Sequence, residues 1–98
     1  MWIGWLELDV LLGDVHGLKE KRAIIRPILA EIRRRFAVSA AEVDVQDLHR
    51  RGALGVACVA GDQGHLVDQL DTVERFVAGR PEIDLLSVRR RVLRSDDE

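Results

Sequence analysis

The side chains able to do covalent or metal chemistry are few and scattered. His16, His49 and His65 lie in three different segments, the only thiol is Cys58, and neither Ser39 nor Ser87 stands at a telling distance from a histidine. A nucleophile needs a base within hydrogen-bond reach, and a metal site needs ligands at close, repeated spacing. Neither pattern is present, so no catalytic residue and no metal site is assigned. The chain also lacks a phosphate loop and a glycine-rich dinucleotide fingerprint, so no cofactor is expected and the reading leans away from an enzyme. Glu42, Asp44 and Gln46 alternate, with Asp47 following, and could offer oxygen ligands to Mg²⁺ from one strand face. Charged protection of a sheet edge explains the same row more simply.

The cations carry more information. The 98 residues hold 15 Lys and Arg against 17 Asp and Glu, a net charge of −2, so no global attraction for nucleic acid follows. The distribution is lopsided, with seven Lys or Arg against two acids between His16 and Arg35, and six acids against two arginines between Gly61 and Leu86. Lys19, Lys21 and Arg22 crowd a helix start, where the helix dipole is positive and each cation costs about 0.3 to 1 kcal/mol. Only Glu20 is favourably placed there. A helix start with open amides, preceded by His16 and Gly17 and lined by cations, suits a phosphate or carboxylate. The expected anion site comprises His16, Gly17, Lys19, Lys21, Arg22 and Arg26, with Arg50 and Arg51 as further phosphate contacts. Solvated surface charge is the competing account.

These residues are positioned by six predicted elements. Trp2 to Leu12 alternates with Leu6, Leu8 and Val10 on one face and Trp5, Glu7 and Asp9 on the other, which reads as a half-buried strand. After the break Gly13–Gly17, apolar positions 18, 25, 28, 29, 32 and 36 recur at helical spacing to about Phe36. Pro27 conflicts with that helix, so a kink, or a start near the proline, is expected. Ala37 to Asp47 alternates as an edge strand, and Ala53 to Ala60, apolar on both faces, reads as a central one. Asp62 is a plausible N-cap for a helix whose stripe is Leu66, Leu70, Val73 and Val77, ended by Gly79 and Pro81. Ile83 to Leu93 completes the set.

Two one-striped helices and four strands combine most economically as an α+β two-layer sandwich, ferredoxin-like in its β-α-β-β-α-β order, with a four-stranded antiparallel sheet and both helices on one face. Residues 1–94 form the single domain, and 95–98 are expected to be a disordered acidic tail. In this topology Glu7 and Asp9 should lie near Arg89 and Arg91. Cys58, in an apolar run without a partner, reads as a buried structural thiol in a reducing compartment. The N-terminus lacks a basic leader and reaches an acid after six residues, so neither a signal peptide nor a membrane span is expected, and the location expected is cytoplasmic.

The runs His16-Gly17-Leu18-Lys19-Glu20-Lys21-Arg22, Arg33 to Ser39, Ala41 to Leu48 and Leu54-Gly55-Val56-Ala57 resemble the YlxP-like family of small uncharacterised bacterial proteins over nearly the whole chain. The resemblance implies the same ferredoxin-like fold. Family genes often sit beside those for translation initiation and ribosome-maturation factors, which implies a connection to RNA or the ribosome. The chain departs from the family pattern at Gly17, where serine is commoner, and at Val45, where a polar residue is frequent. The same fold also hosts acylphosphatases, but these need an asparagine to hold water and the chain has none.

Two binding functions follow. One is an RNA- or ribosome-associated factor using the basic loop and helix start. It would read charge and shape, because the third strand offers Gly55, Ala57 and Val59 where an RNA-recognition sheet carries stacking aromatics, and no DNA sequence readout is expected. The other is a homodimer through an uncovered sheet face bearing Ile3, Trp5, Gly55, Ala57 and Val59. Trp2 and Trp5 could equally complete the margin of the core.

Overall fold

A computed structural model describes residues 1–43, 48 and 50–97. The elements are β1 (Trp2–Leu12), α1 (Leu18–Arg35), β2 (Ser39–Glu42), β3 (Arg51–Ala60), α2 (Gln63–Ala78) and β4 (Ile83–Arg94). They form one antiparallel sheet of order β2-β3-β1-β4 with two helices, the expected ferredoxin-like layout. Strands of 11 and 12 residues, at about 3.4 Å per residue, set the long axis of the 45 × 26 × 19 Å molecule.

Strand alternation sorts the side chains onto two sides. Leu6, Leu8, Val10 and Leu12 of β1 and Leu54, Val56 and Cys58 of β3 are buried under the helices. From above, α1 contributes Ile25, Ile28, Leu29 and Ile32, and α2 its stripe Leu66, Leu70, Val73 and Val77, each fully enclosed. Burying one such side chain stabilises the fold by about 1.5–3 kcal/mol, so this layer outweighs any surface ion pair. Gly4 permits the close seating of α2 on β1, because a Cβ there would lie 2.9 Å from Leu70 Cδ1 and 3.0 Å from Leu66 Cδ2. Asp62 caps α2, its carboxylate accepting from the His65 amide at 2.9 Å.

Pro27 does not delay the first helix, which begins at Leu18 and continues through the proline. Pro27 and Ala23, whose carbonyl loses its usual partner, both lie on the exposed side, where water can satisfy that carbonyl. Strand β2 starts two residues later than expected, because the chain reverses after α1 in a turn closed by Val38 N–H donating to Phe36 O. The expected continuation through Asp44, Val45, Gln46 and Asp47 lies outside the described residues. The C-terminal segment is tied back at Ser95, whose amide donates to Met1 O at 2.9 Å. Asp97 also accepts from the Arg94 amide.

Charge pairing on the open sheet face follows the expectation at one position of two. Arg89 lies 3.7 Å from Glu7, but Asp9 accepts from Ser87 Oγ at 2.8 Å and Arg91 stands opposite Trp5. The register shift between Asp9 and Val10 leaves Leu86 as the extra residue of a bulge, which re-aims the strand beyond it.

Candidate functional site

Helix α1 carries the basic residues on which the anion site was expected, and the structure divides them. Lys21 is only 4% exposed and lies in the buried stripe, four residues before Ile25. Its ammonium sits 3.3 Å from Glu42 Oε2 and donates to the Leu48 carbonyl at 3.3 Å. A lysine with its aliphatic stem enclosed and its head shared by a carboxylate and a carbonyl fastens α1 to β2 and to the stretch that leads into β3. It offers nothing to an external anion, so the assignment of Lys21 to the site is corrected. The same contact occupies Glu42, the first residue of the row weighed as a Mg²⁺ site. Asp44, Gln46, Asp47 and His49 lie outside the described residues, and among the described residues no three His, Cys, Asp or Glu side chains cluster in a way that could hold a metal.

The helix start is less open than expected. Gly17 is the N-cap and supplies no side-chain cap, while Glu20 reaches back to accept from the His16 amide at 3.4 Å. That carboxylate sits where an incoming anion would approach. The His16 imidazole is 73% exposed and turns toward Asp14 at 3.2 Å. Arg50 donates from Nε to the Gly13 carbonyl at 3.0 Å and so closes the loop end. Arg51 pairs in register with Leu11 and shares its face, the open one away from the helices. It is therefore not part of a cluster with α1.

What remains together is Lys19, Arg22 and Arg26. Spaced i, i+3 and i+7, they form one strip along the exposed side of α1 and, with Ala23 and Pro27, line a shallow hollow. All three are exposed, and none lies within 4.0 Å of a described carboxylate. The strip is about 10 Å long at 1.5 Å per residue. The basic residues near the other end of α1 are occupied within the protein. Arg33 donates from Nε and Nη2 to the Ala40 carbonyl at 2.9 and 2.6 Å, sealing the outer edge of β2, and Arg34 and Arg35 flank Glu31. Arg80 joins that group through Glu31 at 3.1 Å and Glu82 at 2.8 Å. Its hydrogen bond to Glu82 holds the guanidinium above its ordinary pKa against the opposing effect of desolvation.

A second feature lies on the open sheet face. Trp5, Glu7, Ser39, Ala41, Val43, Gly55 and Ala57 border a shallow trough, mostly apolar. The gap at Gly55 is filled from within the chain, since a Cβ there would overlap Val43 Cγ1. Gly55, expected on the exposed dimer face, is therefore covered by Val43. Ala57 and Val59 remain exposed, Val59 at 62%, and Ile3 and Trp5 are half-buried. Trp2, in contrast, packs against the core, with the Arg94 guanidinium 5.7 Å from its ring centroid. Cys58 is buried on the helix side, and burial pushes its thiol pKa up, away from reactivity.

Fold and surface together define a ferredoxin-like α+β domain with a cationic strip on one helix and a sheet face, apolar around Trp5 and Ala57, on which no described helix packs. Among the described residues, no helix is long and apolar enough to cross a membrane. The chain belongs to the family described as "Protein of unknown function (DUF503)", whose family model matches residues 3–90. It is 34% identical over 82 residues to the Uncharacterized protein YlxP of Bacillus subtilis (strain 168), covering 84% of this chain and 89% of that one. Among solved structures, a mutant of SnoaB, a cofactor-independent oxygenase from Streptomyces nogalater, aligns over 99% of this chain and 95% of its own with a TM-score of 0.46 and 7% identity, a likeness that carries no functional argument.

Proposed function

We propose that the protein is a non-catalytic RNA-binding factor, associated with the ribosome, that grips the phosphate backbone with the outer face of α1. The observation that carries this reading is the strip of Lys19, Arg22 and Arg26, three exposed cations in a row without a described acidic partner. The site differs from a helix-start pocket: it runs along the helix from the first turn, at Lys19, into the third, at Arg26, and contacts successive phosphates as a line of charge. The family's gene neighbourhood supports RNA as the polyanion.

Such contacts position a protein without reading sequence, and their affinity comes from counterion release. Three contacts to single-stranded RNA give a slope of log K against log salt of about −2, so binding falls about 20-fold between 50 and 200 mM salt. The test is fluorescence anisotropy with a labelled RNA oligonucleotide, paired with co-sedimentation on small ribosomal subunits at low and high salt. Lys19→Glu combined with Arg22→Glu is expected to weaken binding more than 10-fold and to flatten the slope. Absence of binding at 50 mM salt, or binding untouched by the double charge reversal, would overturn the proposal.

A further inference from the structure

We infer that the open sheet face is a self-complementary interface that joins two copies of this chain face to face. The rows across the sheet carry the argument. Registers place Ser39, Ala57, Trp5 and Arg91 in one row, and Ala41, Gly55, Glu7 and Arg89 in the next. Beside the first row, Val59, Ile3 and Leu93 form an apolar end. Trp5 on β1 is thus a ridge, and Ala57 and Ala41 on β3 and β2 are the adjacent low ground.

The strand order β2-β3-β1-β4 puts the midline of the sheet between β3 and β1. A two-fold axis lying between the two faces, parallel to the strands and above that midline, sets β1 of each copy over β3 of the other. Trp5 then settles on Ala57 of the second copy, and the same contact recurs in reverse, which is the requirement of an isologous interface. Charge is compatible with this arrangement. β4, with Arg89 and Arg91, falls over the small neutral Ser39 and Ala41 of the second copy's β2, and Glu7 falls over the Val43 side chain that covers Gly55, so no like-charged row meets itself. Small side chains on β2 and β3 admit the twist of about 30° between packed sheets.

The overlap sets the strength. β1 over β3 covers about ten residues of each strand and β4 over β2 only about four, which at about 4.8 Å between strands and about 3.4 Å per residue gives about 450 Å² of sheet plane per copy before side-chain relief is counted. The total, about 900 Å², lies in the small, weakly associating class of interfaces, so a dimer of micromolar affinity is expected. Edge-to-edge association has less to recommend it. Arg33 seals the β2 edge, and an antiparallel β4–β4 pairing centred on Arg90 would set Arg89 of one copy opposite Arg91 of the other.

The test is sedimentation equilibrium of the full chain from 1 to 100 μM at 0.1 and 1 M NaCl, on wild type, Trp5→Asp and Ala57→Arg. Ala57 is exposed, so Ala57→Arg leaves the core intact, and it carries the test alone if circular dichroism melts show that Trp5→Asp does not fold. A wild-type dimer that persists at 1 M NaCl and is at least 100-fold weaker in Ala57→Arg is the expected result. A monomer at 100 μM overturns the inference and leaves the face to water or another partner. A dimer that dissolves in salt, or survives Ala57→Arg, overturns it equally, because its interface lies elsewhere. Charge reversal at Arg22 is expected to leave the association unchanged, which separates this outcome from the fate of the RNA proposal.

Discussion

Replacing Lys21 by methionine separates a structural lysine from a ligand-binding one. The substitution keeps most of the enclosed aliphatic stem and removes the charge, leaving Glu42 and the Leu48 carbonyl without their donor. Breaking a fully enclosed ion pair costs about 3–5 kcal/mol. The Glu42 side chain is 29% exposed, so water rehydrates much of its charge, and a loss of about 2 kcal/mol is expected, comparable to one charged hydrogen bond. At a urea m-value of about 1 kcal/mol/M the unfolding midpoint falls by about 2 M. The melting temperature falls by about 10 °C. A double-mutant cycle with Glu42→Gln should return a coupling of about 1–2 kcal/mol, since the two groups share one contact. RNA affinity of the folded Lys21→Met protein should stay within two-fold of wild type. If stability is untouched while RNA binding drops as it does for Lys19→Glu, then the lysine head is outside the protein and the reasoning from burial is wrong.

Three further perturbations probe the frame. Gly55→Ala forces a methyl against Val43 and is expected to cost about 1–2 kcal/mol, a cost that should largely vanish in a Val43→Ala background; equal cost in both backgrounds would rule out that contact as the cause. Asp62→Ala removes the acceptor of the His65 amide and should destabilise by about 1 kcal/mol in urea titration, while Asp62→Asn should lose only a few tenths. Burial raises the Cys58 pKa, so at pH 8 the thiolate fraction is below that of a free cysteine, and modification by a thiol reagent should run at least 10-fold slower in the native state and recover fully in denaturant. Native labelling at the free-thiol rate would place the side chain on the surface.

The fold is legible wherever one periodicity dominates. Leu66, Leu70, Val73 and Val77 between an Asp62 cap and Gly79 leave a single solution for α2, and alternation along β1 separates Leu6 and Leu8 from Trp5 and Glu7 without ambiguity. The site is legible only in part, because charge in a sequence does not say which way a side chain points. Counting Lys21 among the surface cations follows from its type. Its place four residues before Ile25 and seven before Ile28 marks it as the one polar member of the buried stripe, and that signal was present in the spacing. The bulge at Leu86, which sends Asp9 to Ser87, has no such mark, since one extra residue in a strand that is half apolar and half arginine shifts the register without breaking any pattern. Pro27 misleads for a related reason: its helix-breaking cost depends on whether the freed Ala23 carbonyl faces the core or water, which the proline itself does not reveal.

The two proposed surfaces lie on opposite sides of the sandwich, and this geometry constrains how they combine. Lys19, Arg22 and Arg26 project from the outer side of the helix layer, whereas Trp5 and Ala57 lie on the far side of the sheet. Face-to-face pairing therefore leaves both cationic strips uncovered and directs them away from each other. With layers about 10 Å apart, the two strips stand roughly 30–40 Å apart across the dimer. A short oligonucleotide cannot bridge that span and reports one strip alone, so its affinity is set by three cations whether the protein is one copy or two. A folded RNA large enough to reach around the dimer engages both strips, and the second contact is then intramolecular, adding avidity without any new residue. Pairing through the sheet would thus convert a weak, sequence-blind line of charge into one that favours large, structured RNA over small fragments.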